Sequence, residues 1–494
     1  MQLALDRPVP IGEKTFLILA LVELLILVMA LTLSSQVLLW LLVFAVGVPI
    51  FLCLPVYPQI ILTLMIVTTA LDFGGVVIKG LRVSGSIETP VTAFHLAGGL
   101  GIIFCAASIL WKKRTLLPRL KVIFPLVLFL SLIGISTLYA PEKSAAVFSF
   151  FRILFLSLII FVTVVLVQSK KIVTLVLVSF IGCAVVTAGA GTYQAITAQY
   201  FLPAQFMREI GMGFTRATAT FTNPNAFATF LMAAAVISFA LLINLKLSWP
   251  IKLMLIVAFL GLLIGLVASF SRANWLATAI GLFLVALFSK KIKALLPLLA
   301  IILCIVLIAG LFSSNFRDLV LGRLISIFVI FSEFKSAARV SSTARIYLVE
   351  AAVSMFWDHP LLGVGARGFP ELFDKYRPVG YPIWCPVRES HTYLATVLAE
   401  FGIIGFFLFL WFIITVIKEG LAGVRSIGDH YLKIAEIGFV AVFIAYQVNM
   451  LFTAYIHDNF FWLLTGMLFA TKEIGQRLSH SDRNEDSYIV ASVS

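Results

Sequence analysis

Four side chains in this sequence have the type and setting for chemistry on a charged substrate at a membrane edge: Arg216, Arg272, Arg345 and His391. Arg216 stands in GFTRATATFTNPNAFA, on an outer loop just before an apolar span, and Arg272 in ASFSRANWLA, in an outer hairpin so short that its guanidinium sits at or just inside the membrane edge. Ionisable groups at that depth are costly and usually face a polar cavity. A guanidinium pair suits a diphosphate, because the planar fork bonds phosphate oxygens bidentately and never deprotonates. Snorkelling to lipid headgroups is the simpler account of either arginine alone. His391 opens the apolar run in RESHTYLATVLAEFGIIGF. A neutral imidazole there suits removal of a proton from a sugar hydroxyl near neutral pH. Taken alone it reads as an interfacial residue; three groups delivered to one membrane depth favour the chemical reading. No carboxylate lies near His391 in a familiar ligand spacing, and the five cysteines form no CxxC or Cys/His cluster. Neither a metal nor another cofactor is expected.

The elements that must hold these groups are membrane helices. Hydrophobic residues make up 61% of the 494 and charged residues 12%, far from the balance of a soluble domain. Apolar stretches long enough to cross a bilayer recur along the whole chain. Fourteen spans are expected, near 15–33, 36–55, 57–72, 92–111, 121–139, 147–168, 171–194, 223–244, 250–269, 273–289, 292–312, 391–417, 434–454 and 458–472. The fold expected is an all-α integral membrane protein of 12–14 transmembrane helices with one large extracytoplasmic loop. In order, a cytoplasmic N-terminus (1–14) precedes the first part of the bundle (15–312). A cap loop (313–390), the last spans (391–472) and a disordered cytoplasmic tail (473–494) follow.

Charge gives the orientation. With the N-terminus inside, the inner segments hold twenty lysines and arginines and the outer ones seven, leaving aside the cap loop. That is the positive-inside pattern, and a segment as long as 313–390 crosses regardless of its charge. The net charge of +13 therefore reads as topology rather than as a nucleic-acid footprint. Within the cap, SSTARIYLVEAAVSMFWDHPLLGVG reads as a helix capped by Ser341, Ser342 or Thr343, with Ile346, Val349, Val353, Phe356 and Trp357 as its apolar face. It should stop before Pro360, where Gly363 and Gly365 allow a tight turn. Arg345 is placed either to reach a substrate or to pair with Glu350. Glu23 reads as a hydrogen-bonded packing residue, and Gly261 with Gly265 as a close helix contact.

The order of TFTNPNAFA after Arg216, then SFSRANWLA, ARIYLVEAAVSMFWDHPLLGVGARGF and SHTYLATVLAEFGIIGFFLFL resembles the O-antigen ligase and polymerase superfamily over about 210–415. The resemblance implies a membrane glycosyltransferase of the GT-C class. Such enzymes take a glycan from an undecaprenyl-diphosphate carrier at the outer face of the bacterial cytoplasmic membrane. Its partners would be that donor, a glycolipid or glycan acceptor, and membrane lipids. By motif, Arg216 and Arg272 match arginines that hold the diphosphate, and His391 the histidine that assists acceptor attack in an inverting, metal-free transfer. The family often reads His-Asn at this point, where this chain has Thr392. Ligase is the reading taken, with polymerase as its alternative. A flippase for lipid-linked sugars is the alternative of another class; it should show mid-membrane polar groups, broken helices and symmetric halves.

Overall fold

The computed structural model describes residues 59–71, 82–83, 87–88, 92–112, 120–199, 209–211, 214–221, 223–297, 299–300, 340–381, 390, 392–453 and 458–493. The described chain is all-α apart from two short antiparallel pairs, Arg82–Val83 with Ile87–Glu88 and Glu209–Gly211 with Phe214–Thr215. Its helices are α1 (Ile60–Ala70), α2 (Ala93–Lys112), α3 (Ile123–Ser136), α4 (Lys143–Leu166), α5 (Lys170–Thr197), α6 (Pro224–Asn244) and α7 (Trp249–Ala268). They continue with α8 (Arg272–Phe288), α9 (Val340–Asp358), α10 (Gly368–Leu372), α11 (Tyr393–Ser426), α12 (His430–Met450) and α13 (Asn459–Val493). Among the described residues, α4, α5, α6, α7, α11 and α12 are long and apolar enough to cross a membrane, and α1, α2, α3 and α8 are shorter apolar helices. This is a multi-pass membrane protein. The spans expected at 15–33 and 36–55, with Glu23, and most of 292–312 lie outside the described residues.

Helix starts follow from local chemistry. Asn223 accepts a hydrogen bond from the Asn225 amide at 2.8 Å and Pro224 takes the first position of α6, where its missing N–H costs nothing. Asp429 caps α12 through the Leu432 amide at 2.9 Å. Contacts then sort the helix ends into two sets. At one end Glu419 of α11 holds Lys472 at 2.5 Å and Lys121 at 3.0 Å, and Asp429 holds Lys170 at 2.7 Å. At the other end Thr220 donates to the Ala70 carbonyl, the Ala366 amide donates to the Ser136 hydroxyl, and Asn449 of α12 donates to Thr229 of α6. Of the two glycines read as a contact, only Gly265 makes one. A Cβ on Gly265 would meet Ala188 and Leu231, whereas Gly261 has open space.

Helix α11 departs from expectation. The span expected as one rod at 391–417 is broken at Gly402, whose φ of 60° and ψ of −163° lie outside the helical region. The Tyr393 and Phe409 rings lie 4.7 Å apart, whereas sixteen residues of straight helix would separate them by about 24 Å. The short arm, 393–401, therefore folds back along the long arm, 403–426. The chain after α9 stitches the break. The Ala399 and Glu400 carbonyls accept from the amides of Val364 and Gly365 at 2.9 Å each, and the Ile403 amide donates to Pro360 at 2.9 Å. Gly402 has no substitute here, because a Cβ would stand 2.4 Å from the Leu361 carbonyl. Gly402→Ala should cost on the order of 1–3 kcal/mol from backbone conformation alone. A melting temperature in detergent equal to wild type would refute the hairpin.

The cap helix α9 ends at Asp358, as Pro360 requires, but it begins at Val340, so Ser341, Ser342 and Thr343 fall within its first turn instead of before it. Its buried face is also rotated from expectation. Leu348, Ala351, Ala352 and Met355 pack with Ala395 and Ala399 of the short arm, together with Val364, Phe369 and Phe373. Ala351 and Ala352 let α9 approach the arm closely, and Leu348 and Met355 fill the space on either side of them. At the far end of the chain, α13 runs on to Val493, so the tail read as disordered continues a helix.

Candidate functional site

Arg216 follows a two-residue strand and is half-buried at the helix ends opposite the lysine-rich set. Its Nε donates to the Ser269 carbonyl at 2.9 Å and its Nη2 to Asn225 Oδ1 at 3.0 Å. The adjacent Ala217 amide donates to Ala268 at 3.0 Å. Asn225 Oδ1 also accepts from the Ser271 hydroxyl at 2.9 Å, so one side-chain amide joins the Arg216 loop to the turn that launches α8. Arg272, half-buried, is the first residue of that helix. The structure thus brings Arg216 and the turn bearing Arg272 to one hydrogen-bonded corner.

The corner extends inward. Asn274 donates to the Asn225 carbonyl at 3.1 Å and to Ser271 at 3.0 Å. Thr229 bonds Asn274 Oδ1 at 3.1 Å and accepts from Asn449 Nδ2 at 2.8 Å. Gln194 of α5 holds the loop from the other side. Its Oε1 accepts from the Thr218 and Ala219 amides at 3.0 and 2.7 Å, and its Nε2 donates to the Ala219 carbonyl at 3.2 Å. Ala219 and Phe270 both have positive φ, 48° and 51°. Non-glycine residues keep that conformation only where their surroundings over-determine it, typically at functional sites. Around the same loop the hydroxyls of Thr215 and Thr218 and the Oδ1 of Asn449 are buried without a hydrogen-bond partner. Each such atom costs about 1–3 kcal/mol, and a polar ligand or water is the usual remedy.

Arg345, half-buried, is carried by α9, which packs on the short arm of α11. That packing sets α9 beside Ala395 and Ala399 of the short arm. His391 itself lies outside the described residues. Of its neighbours, Ser390 is buried, and its hydroxyl bonds the Thr392 carbonyl at 2.8 Å and the Thr396 hydroxyl. Their depth follows from ring contacts. Tyr393 meets Phe409; Phe412, one turn further in, meets Phe461; and Phe461 meets Tyr446, one turn from Asn449. The inner end of the short arm is therefore level with the Arg216–Asn449 network to within about a turn, ~5 Å. Among the described residues no three His, Cys, Asp or Glu side chains converge as metal ligands would.

Residues 256–410, about a third of the chain, match the family described as O-antigen ligase, and this stretch is similar to that family. It takes in α7, α8, the cap and the start of α11, with Arg272, Arg345 and position 391 inside it and Arg216 outside. No curated protein matches the sequence. The ligase-family segment therefore supplies one wall of the corner, and α6 with its preceding loop supplies the other.

Sequence reasoning reads Asn223-Pro224-Asn225 as a turn and helix start, which it is, and misses that Asn225 orients Arg216. Asn274, Thr229, Asn449 and Gln194 carry no sequence signal, being single polar residues in apolar helices. Asn225→Ala should lower kcat/KM for glycan transfer about tenfold or more, the scale of one hydrogen bond to a charged group. Asn225→Asp, which still accepts both bonds, should recover most of it. Steady-state kinetics on the two variants checks the pair, and equal losses would remove Asn225 from that role.

Proposed function

We propose that this O-antigen ligase-like protein transfers a glycan from an undecaprenyl-diphosphate carrier to a glycolipid or glycan acceptor at the outer face of the bacterial cytoplasmic membrane. The observation that supports this reading is the buried polar corner around Arg216, with its unpartnered buried polar atoms. The lysine-rich helix ends would face the cytoplasm under the positive-inside rule, which leaves the corner and the cap outside.

In the mechanism, Arg216 and Arg272, with Arg345 from the cap, bind the diphosphate and offset the charge that grows on it as the anomeric C–O bond breaks. Cations preset where charge develops, in a water-poor site, are commonly a large catalytic factor. The acceptor hydroxyl attacks the opposite face of the anomeric carbon, giving inversion. His391 takes its proton, and the carrier diphosphate leaves with the bonding electron pair. No metal or nucleotide sugar enters this scheme.

Purified protein in lipid nanodiscs, given undecaprenyl-diphosphate-linked polymer and a lipid A-core acceptor, should form the joined product and release the carrier diphosphate. Consumption of single lipid-linked repeats with chain growth would instead identify the polymerase. Movement of donor across a sealed bilayer without any transfer would overturn the enzyme reading in favour of a flippase. Loss of the gene should correspondingly leave unligated lipid-linked polymer.

A further inference from the structure

The cap helix α9 has two apolar faces, and among the described residues one of them is packed. Leu348, Ala351, Ala352 and Met355 are buried on the short arm of α11. Ile346, Val353 and Trp357, spaced seven and four residues apart, line the opposite side and are 42%, 38% and 72% exposed. The chain beyond the helix extends the patch through Leu361, 63% exposed, and Leu362. Contiguous apolar surface of this kind, rimmed by polar groups, marks a contact with lipid or protein rather than with water.

We infer that this second face of α9 is seated in the lipid of the membrane, making the cap a bilayer-anchored element. What decides for lipid is continuity. The Tyr139 hydroxyl, at the end of α3, donates to the Leu362 carbonyl at 2.8 Å. Beside it Leu138 and Ile135 are exposed on the outer side of the bundle. On the other flank the Ile404 amide of α11 meets the Leu361 carbonyl at 3.4 Å, and Ile404 and Phe407 are exposed along the long arm. The patch thus adjoins the exposed apolar residues of α3 and α11, with the exposed Asp358 and His359 between Trp357 and Leu361 along the chain. Its aromatic members, Trp357 and Tyr139, are the residue types that favour the membrane–water boundary. The rest of the cap keeps a polar side, where Tyr376 donates to Asp358 at 2.7 Å. The seat would fix the height of the cap over the short arm of α11 and so over the recessed corner. This inference needs only the membrane reading of the chain and stands apart from the proposed transfer reaction.

The test uses the full-length protein in nanodiscs of phosphatidylethanolamine and phosphatidylglycerol. A photoreactive p-benzoylphenylalanine replaces Trp357, Val353 or, as a control on the polar side of the cap, Glu371. After irradiation, mass spectrometry should find phospholipid adducts several-fold more abundant at 357 and 353 than at 371. Adducts no more abundant at 357 than at 371 would overturn the inference, as would cross-links from 357 to a second copy or to another protein. A second measurement needs no photoprobe. Brominated phospholipid should quench wild-type tryptophan fluorescence more than that of Trp357→Phe. Equal quenching of the two proteins would count against the lipid seat.

Discussion

Arg216→Lys lowers glycan transfer by about 10²–10³-fold, the scale seen when one preset donor to a developing charge is removed, while the protein reaches the membrane at its usual level. Lysine keeps the positive charge, so a role limited to long-range attraction would survive the change. It cannot keep the plane. In the native corner the guanidinium is fixed by two directional bonds, Nε to the Ser269 carbonyl and Nη2 to Asn225. An ammonium group on a flexible stem has no equivalent of that fork. The measurement is initial-rate transfer in nanodiscs with kcat and KM separated. A fall in kcat and kcat/KM together means that the contact matters in the transition state. A rise in KM alone means that it serves only to hold the donor. Unchanged kinetics would remove Arg216 from the site.

His391→Ala lowers transfer by about 10²–10⁴-fold, the usual range for losing a positioned proton acceptor. Ser390 is buried and the Tyr393 ring is packed on Phe409, while His391 itself lies outside the described residues. Donor binding, read with undecaprenyl diphosphate as the probe, should be near normal in this variant, because the proposed site assigns the diphosphate contacts to the arginines. Transfer at the wild-type rate would sink the assignment. Loss of binding as well as transfer would make His391 part of the donor site.

The amino-acid sequence alone determines the class of this protein and most of its helix ends. Apolar runs of bilayer length cannot be satisfied by any open structure in lipid other than helices. Asn223-Pro224 and the Asp358–Pro360 stop act through the backbone nearest to them, which is why α6 and the end of α9 are legible. The arginines were legible too, because a charge at an apolar boundary stands out from its surroundings. What the linear pattern could not contain is which residues meet. Asn225, Asn274, Thr229 and Asn449 come from three helices, and only their packing turns four ordinary polar side chains into one network. The face of α9 was misjudged for a related reason. Periodicity finds an apolar stripe, but the closeness of the neighbouring arm selects the alanine side for burial and leaves the Trp357 side outward. Gly402 is the clearest case. A glycine in an apolar span reads as tolerated, and only contact with the Leu361 backbone and the meeting of Tyr393 with Phe409 turn it into the hinge of a hairpin. That hairpin sets the depth of the chain around position 391, a property fixed by non-local contacts alone.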